Sequence, residues 1–168
     1  MAKVTHTIEP VFDEYSRILM LGSIPSPKSR EIGFYYGHKQ NRFWQVLGEV
    51  LGTEMPNDIE GKKKVLLENH IALWDVLAEC EINGAADQSI KEAQINDLSI
   101  ILKKAPIKAI FTTGKKAGEL YKKLRHDDWP AECFILPSTS AANAAYSKAR
   151  LAESYRAILP YLKDEGAK

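Results

Sequence analysis

The sequence predicts an α/β fold: a three-layer α/β/α arrangement around a central four-stranded parallel sheet. Three observations carry this. Four short runs are mostly apolar, each with a charged residue only near an end, and polar or amphipathic stretches of helical length separate them. Strands that are apolar at every position, with no alternation, are those buried on both faces, as in a parallel sheet covered by helices. The chain has 168 residues, 45% of them hydrophobic, which fits one domain spanning 1–168 with a sizeable core.

The elements follow in order. Residues 17–21 (R-I-L-M-L) form the first strand, which stops at Gly22. A loop rich in Pro, Ser and Gly runs from Ser23 to about Gln40. Residues 41–52 form a helix with Asn41 at its N-cap and an apolar face of Phe43, Val46, Leu47, Val50 and Leu51. A second helix covers 62–69 and a second strand 71–77, followed by a polar loop over 81–89. Residues 96–104 are helical until Pro106, and 107–112 are the third strand. Gly114 opens a helix that reaches Leu124. The fourth strand, 132–136, ends at Pro137, and 147–162 form the C-terminal helix. Ligands of such sheets bind beyond the carboxyl ends of the strands. The loops 22–40, 75–89, 112–116 and 137–146 are therefore expected to converge on one edge.

Charge and composition narrow the function. Lys and Arg number 23 against 22 Asp and Glu, a net charge of +1. Nothing in this balance suggests a basic tail, an acidic tail or a strongly polyanion-binding surface, and it does not exclude DNA. Two cysteines, Cys80 and Cys133, make neither a disulfide framework nor a four-ligand zinc site, and both read as buried thiols. The N-terminus has no signal-peptide core, and no apolar run approaches the roughly 20 residues of a membrane span. The expectation is a soluble, intracellular (cytoplasmic) monomer with no membrane partner. The four histidines have no metal spacing, so no metal and no cofactor is expected. No G-x-G-x-x-G follows the first strand, and no G-x-S-x-G occurs. The run from Thr112 to Lys116 resembles a phosphate loop only superficially, with Ala109 where the first Gly belongs and Lys116 where Ser or Thr belongs.

Two loops carry chemistry instead. The first holds Phe34, Tyr35 and Tyr36 beside the turn at Gly22 and Ser23. Loop aromatics ordinarily serve packing. Three together suggest a stacking platform for a planar ligand, since bases stack on aromatic faces for about 1–3 kcal/mol each. The last loop, L-P-S-T-S-A-A-N, offers Ser138, Thr139, Ser140 and Asn143 between a strand and a helix. Helix capping is one reading. A phosphate clamp, in which small residues let backbone amides approach a DNA strand, is the other.

At these residues the chain resembles the uracil-DNA glycosylase superfamily, in ordered motifs from about Arg17 to Tyr161. Gly22-Ser23-Ile24-Pro25 takes the place of the superfamily's water-activating loop, and His38-Lys39-Gln40-Asn41-Arg42-Phe43-Trp44 resembles the H-P-x-N-R-F-W segment of its mismatch-specific members. Gly114 to Ala117 resembles the turn after their third strand, and Leu136 to Ser140 their DNA-gripping second motif. Ile24 stands where other branches carry Asn or Asp, and Lys39 where Pro is common. The combination with L-W-D-V-L and N-G-A-A-D-Q-S-I is most similar to the hypoxanthine-DNA glycosylase branch.

That resemblance implies removal of deaminated bases, chiefly hypoxanthine, from DNA by base flipping. It implies that Asn41 orients the water and that Tyr36 lies on the flipped base, with Gly22, Ser23 and Ile24 against the ring. Asp75, at the end of the second strand, is either a base-reading carboxylate or a turn aspartate. As an acceptor only, it suits the N1–H of hypoxanthine. Ser138, Thr139, Ser140, Asn143 and Lys115 would hold the DNA, and Lys28, Arg30, Lys39, Arg42 and Lys116 would help dock it. No lysine is placed for a Schiff base, so a monofunctional enzyme is expected. Uracil as the main substrate and a non-catalytic lesion-binding module are the competing readings. An α/β domain with an unrelated small ligand fits the ordered motifs least.

Overall fold

The computed structural model describes residues 2–163. The chain runs through β1 (Ala2–Thr5), β2 (Ile18–Gly22), α1 (Pro27–Ile32), α2 (Phe43–Leu51) and α3 (Ile59–Glu68). It continues through β3 (Ile71–Asp75), β4 (Leu77–Asn83), β5 (Ala86–Ile95), α4 (Ser99–Leu102) and β6 (Ala109–Thr113). The last part holds α5 (Lys115–Leu124), β7 (Phe134–Leu136), α6 (Lys148–Tyr155), a 3-10 turn (Arg156–Ile158) and α7 (Leu159–Leu162).

The central sheet has the order β3-β2-β6-β7, and all its pairs are parallel. Every residue of β2 and β3 is buried, as expected of strands covered on both faces. Helices complete a three-layer α/β/α arrangement, with α5 against β6 and β7, and α3 against β3. The expected fold class stands.

A second sheet was not expected. The predicted polar loop 81–89 is the tip of an antiparallel hairpin, and β1-β4-β5 form a three-stranded sheet. The apolar run 71–77 is two strands, not one. The chain bends at Val76, whose amide donates to the Gly22 carbonyl, while Leu77 donates to Ser23. Buried Asn96, expected to start a helix, instead donates its side-chain amide to the carbonyls of Asp75 and Leu77 and fixes this bend. The helix after it shrinks to α4.

Other boundaries shift for local reasons. Asp58 caps α3 through the Gly61 amide, so the helix begins at Ile59, three residues upstream of the predicted start. Ser26 caps α1, with Pro27 in its first turn, inside the predicted loop. Ser147 caps α6 as its position suggests, but the C-terminal helix breaks into three pieces around Pro160.

Candidate active site

Strand register assembles the site. Gly22 pairs with Asp75 across β2 and β3, and Thr113 ends β6 next to them, so three carboxyl ends meet at one edge. A pocket of about 130 Å³ opens there. Its walls come from Gly22–Ser26, Tyr35, Tyr36, Asn41, Asp75, Thr113, Ser138–Ser140 and the hairpin residues Ile82, Gly84, Ala85 and Asp87. Nine expected residues therefore share one cavity: Gly22, Ser23, Ile24, Tyr36, Asn41, Asp75, Ser138, Thr139 and Ser140.

Asp75 is buried, and its Oδ2 lies 2.9 Å from His6 Nε2. An ionised carboxylate only accepts, so the imidazole donates. His6 is held in place by its backbone amide, which bonds the Ala78 carbonyl, and by the docked segment that follows. Tyr35 Oη donates to the Glu9 carbonyl and Trp74 Nε1 to that of Ile8. The other Asp75 oxygen points along Gly22. A methyl group on Gly22 would sit 2.5 Å from Asp75 Oδ1 and 3.1 Å from Tyr36 Oη. The missing side chain at Gly22 is therefore the space that lets these two polar atoms converge.

Tyr36 forms a shelf. Its ring stacks on Phe43 at 3.9 Å and 13°, and its hydroxyl shares a 2.7 Å hydrogen bond with Thr113 Oγ1. The backbone there is left-handed, with φ of 51°, an uncommon conformation for a bulky residue that the stack and the hydroxyl contact hold in place. Burial, reinforced by the Asp75 charge, pushes the hydroxyls of Tyr35 and Tyr36 far above the usual phenol range, so both stay neutral.

Asn41 borders the same cavity. It stands one residue before the N-cap position, and its Oδ1 accepts from the Phe43 amide at 2.9 Å. The expected capping role is thus made from one residue further out, while the side chain lines the pocket.

Arg42 corrects an expectation. Its guanidinium is spent inside the protein, not presented to solvent for docking. It donates to the carbonyls of Thr139, Ser140, Asn143 and Tyr146, and its backbone amide also bonds Thr139. The loop after β7 is wrapped around this one cation. Asn143 tightens it by donating to the Ser138 carbonyl. Asn143 and exposed Lys115 lie outside the pocket, along an adjoining groove lined also by Asp87, Ile135 and Tyr146.

Sequence reasoning missed His6, Thr113 and Asp87. Ser23 Oγ donates to Asp87 Oδ1 at 2.8 Å, pinning the hairpin to the end of β2. Burial pushes the Asp87 carboxyl above the usual carboxylate range, with the Asp75 charge adding to it; the Ser23 hydrogen bond and Lys116 pull the other way. Nothing local marks His6, since its partner is 69 positions away. Asp87 belongs to a polar stretch that only the hairpin brings to the pocket. Among the described residues no group of three or more His, Cys, Asp or Glu is arranged to hold a metal, and no helix is long and apolar enough to cross a membrane.

Comparison with known proteins agrees with this architecture. The family profile of the uracil DNA glycosylase superfamily matches residues 9–163. The chain belongs to the uracil DNA glycosylase superfamily. It is 38% identical over 143 residues to a protein of Methanosarcina barkeri named hypoxanthine DNA glycosylase, covering 84% of this chain and 89% of that one. A Methanosarcina acetivorans protein of the same name is 39% identical over 145 residues, covering 85% and 90%. A solution NMR structure from M. acetivorans, described provisionally as a uracil DNA glycosylase, superposes with a TM-score of 0.79 at 36% identity. It covers 95% of this chain and 99% of its own.

Proposed function

We propose that this superfamily member is a monofunctional DNA glycosylase that hydrolyses the N-glycosidic bond of deaminated bases, chiefly hypoxanthine, working inside the cell as a single-domain monomer. One observation carries the proposal: a buried, histidine-backed carboxylate converges with a rigid aromatic shelf on a side-chain-free stretch of backbone. The similarity to proteins named hypoxanthine DNA glycosylase supports it.

The chemistry follows from the walls. A flipped base lies on Tyr36, with Gly22, Ser23 and Ile24 against its edge. Asp75 Oδ1 accepts from a ring N–H. Hypoxanthine presents that donor at N1, whereas adenine presents a lone pair there. Guanine shares the N1–H, so the flipping step protects it: a mispaired base leaves the stack at least cost. Ser138, Thr139, Ser140, Asn143 and Lys115 grip the strand. Cleavage builds positive charge on the sugar and negative charge on the leaving base. Asn41, which both donates and accepts, orients the water.

Duplexes carrying a single hypoxanthine, uracil or xanthine, incubated with the protein and then with alkali, test this. Strand cleavage at hypoxanthine is expected; no cleavage at any lesion refutes it, and stronger cleavage at uracil selects the other substrate. Asp75→Asn is expected to reduce release of hypoxanthine and uracil by unequal factors. Equal losses, or none, would remove Asp75 as the base reader.

A further inference from the structure

Hydrolysis needs a group to take the proton of the attacking water, and the pocket holds few. Ile24 is apolar, and the Asn41 amide does not accept a proton near neutral pH. Tyr35 and Tyr36 stay protonated. Asp75 has one oxygen on His6 and the other at the floor beside Gly22, where the base edge belongs. Asp87 remains. It lines the cavity from the hairpin, on a different wall from Asp75, and one of its oxygens is steadied by the Ser23 hydroxyl at 2.8 Å.

We propose that Asp87 is the general base of the reaction, delivered to the pocket by the β4–β5 hairpin. This rests on the glycosylase function proposed above. The water oxygen bonds to C1′ while the electron pair of the C1′–N bond leaves with the base. The water proton passes to the free Asp87 oxygen and then to solvent, and the departing base anion is protonated by solvent. The same carboxylate, placed near the sugar, stabilises the positive charge that develops on it. A carboxyl held above its ordinary range is also a better base near neutral pH. The ionisable groups around it are Asp75 from β3, Lys116 from α5, Tyr36 from the loop before α2 and Cys80 from β4.

The test is single-turnover base release from a duplex with one deoxyinosine opposite thymine, measured from pH 4 to pH 8. The wild type is expected to lose rate at the acid end as Asp87 protonates. Asp87→Asn keeps an acceptor for Ser23, so the hairpin stays anchored. It is expected to lower the rate by at least about 100-fold, the usual worth of a general base. Duplex affinity should stay within about threefold, since Asp87 is not assigned a phosphate contact. The residual rate should no longer fall with acid. Ser23→Ala removes a hydrogen bond that favours the charged form, so it should move the acid limb to higher pH. This second variant reports on Asp87 even if Asp87→Asn folds poorly. A loss below about tenfold, an acid limb that persists in Asp87→Asn, or a limb unmoved in Ser23→Ala each overturns the assignment. Failure of the wild type to release any base overturns the glycosylase function itself. Release by the wild type with an unimpaired Asp87→Asn overturns only the role of Asp87.

Discussion

Replacing Arg42 with Met keeps an unbranched apolar stem and removes its four donations to the loop after β7. A hydrogen bond to a charged group contributes about 1.5–3 kcal/mol net, so four set a ceiling on the order of 10 kcal/mol. The loop lies near the surface, with Ala141, Ala142, Ala144 and Ala145 exposed, so much of the freed carbonyl surface regains water. The expected destabilisation is about 2–4 kcal/mol. For a chain of this size that lowers Tm by about 5–15 °C. Binding to a duplex with an abasic site, followed by fluorescence anisotropy, should weaken at least about tenfold, because Ser138–Ser140 lose their shape. Arg42→Lys decides the cause. Lysine keeps the charge but not the planar fork, so it should behave nearly as badly as methionine. If Arg42→Met melts within about 2 °C of the wild type, the carbonyl clamp is not what holds the loop. If lysine restores binding and Arg42→Met only flattens the salt dependence by about one unit of slope, Arg42 is a phosphate contact after all.

Three further outcomes are expected. Gly22→Ala forces a methyl group to within 2.5 Å of Asp75 Oδ1; it should cost about 1–3 kcal/mol by overpacking and abolish base release, and a variant with normal excision would show that the site does not need this gap. His6→Ala leaves a buried Asp75 oxygen without its hydrogen-bond donor, so a stability loss of about 1–3 kcal/mol is expected in thermal melts, with His6→Gln, which retains a donor, recovering part of it. Asp87→Asn should melt higher than the wild type at pH 7, because the raised carboxyl binds its proton more tightly in the native than in the unfolded state, and ionisation above that raised pKa costs stability. That difference should vanish below about pH 4, where the unfolded carboxyl is protonated too; a gain that persists there would contradict the linkage.

The central sheet was legible because β2, β3 and most of β6 are buried and read as apolar runs, and the edge strand β7, though partly exposed, is apolar as well. The hairpin was not. Strand β5 mixes exposed and half-buried residues and pairs with β4 through several register shifts, so its alternation is blurred. The bend at Val76 was hidden because Trp74 through Leu77 stay buried on both sides of it. In the site, Gly22, Tyr36, Asn41 and Asp75 stood at strand ends or in the loops the fold was bound to bring together. Asp87 reaches the pocket, and His6 reaches Asp75 behind it, through the small antiparallel sheet, and that sheet had no clear pattern from which to place them. Arg42 looked like any basic residue beside a loop; only the carbonyls curled around it reveal its role.

Asn41, Arg42 and Phe43 are consecutive, yet they face three different tasks. The first borders the cavity, the second fastens the loop after β7, and the third backs the Tyr36 shelf. A shift of this short stretch moves all three at once, so it has almost no freedom to drift. The opposite wall is built differently. Residues 83–88 form the hairpin tip, largely exposed and tied to the end of β2 by a single side-chain bond. Changes at the exposed tip positions on either side of Asp87 would therefore disturb the pocket least, whereas Asp87 itself and the 41–43 stretch are fixed by their contacts. One wall of the pocket is thus set by three adjoining residues and the other by one anchored carboxylate at an otherwise exposed turn.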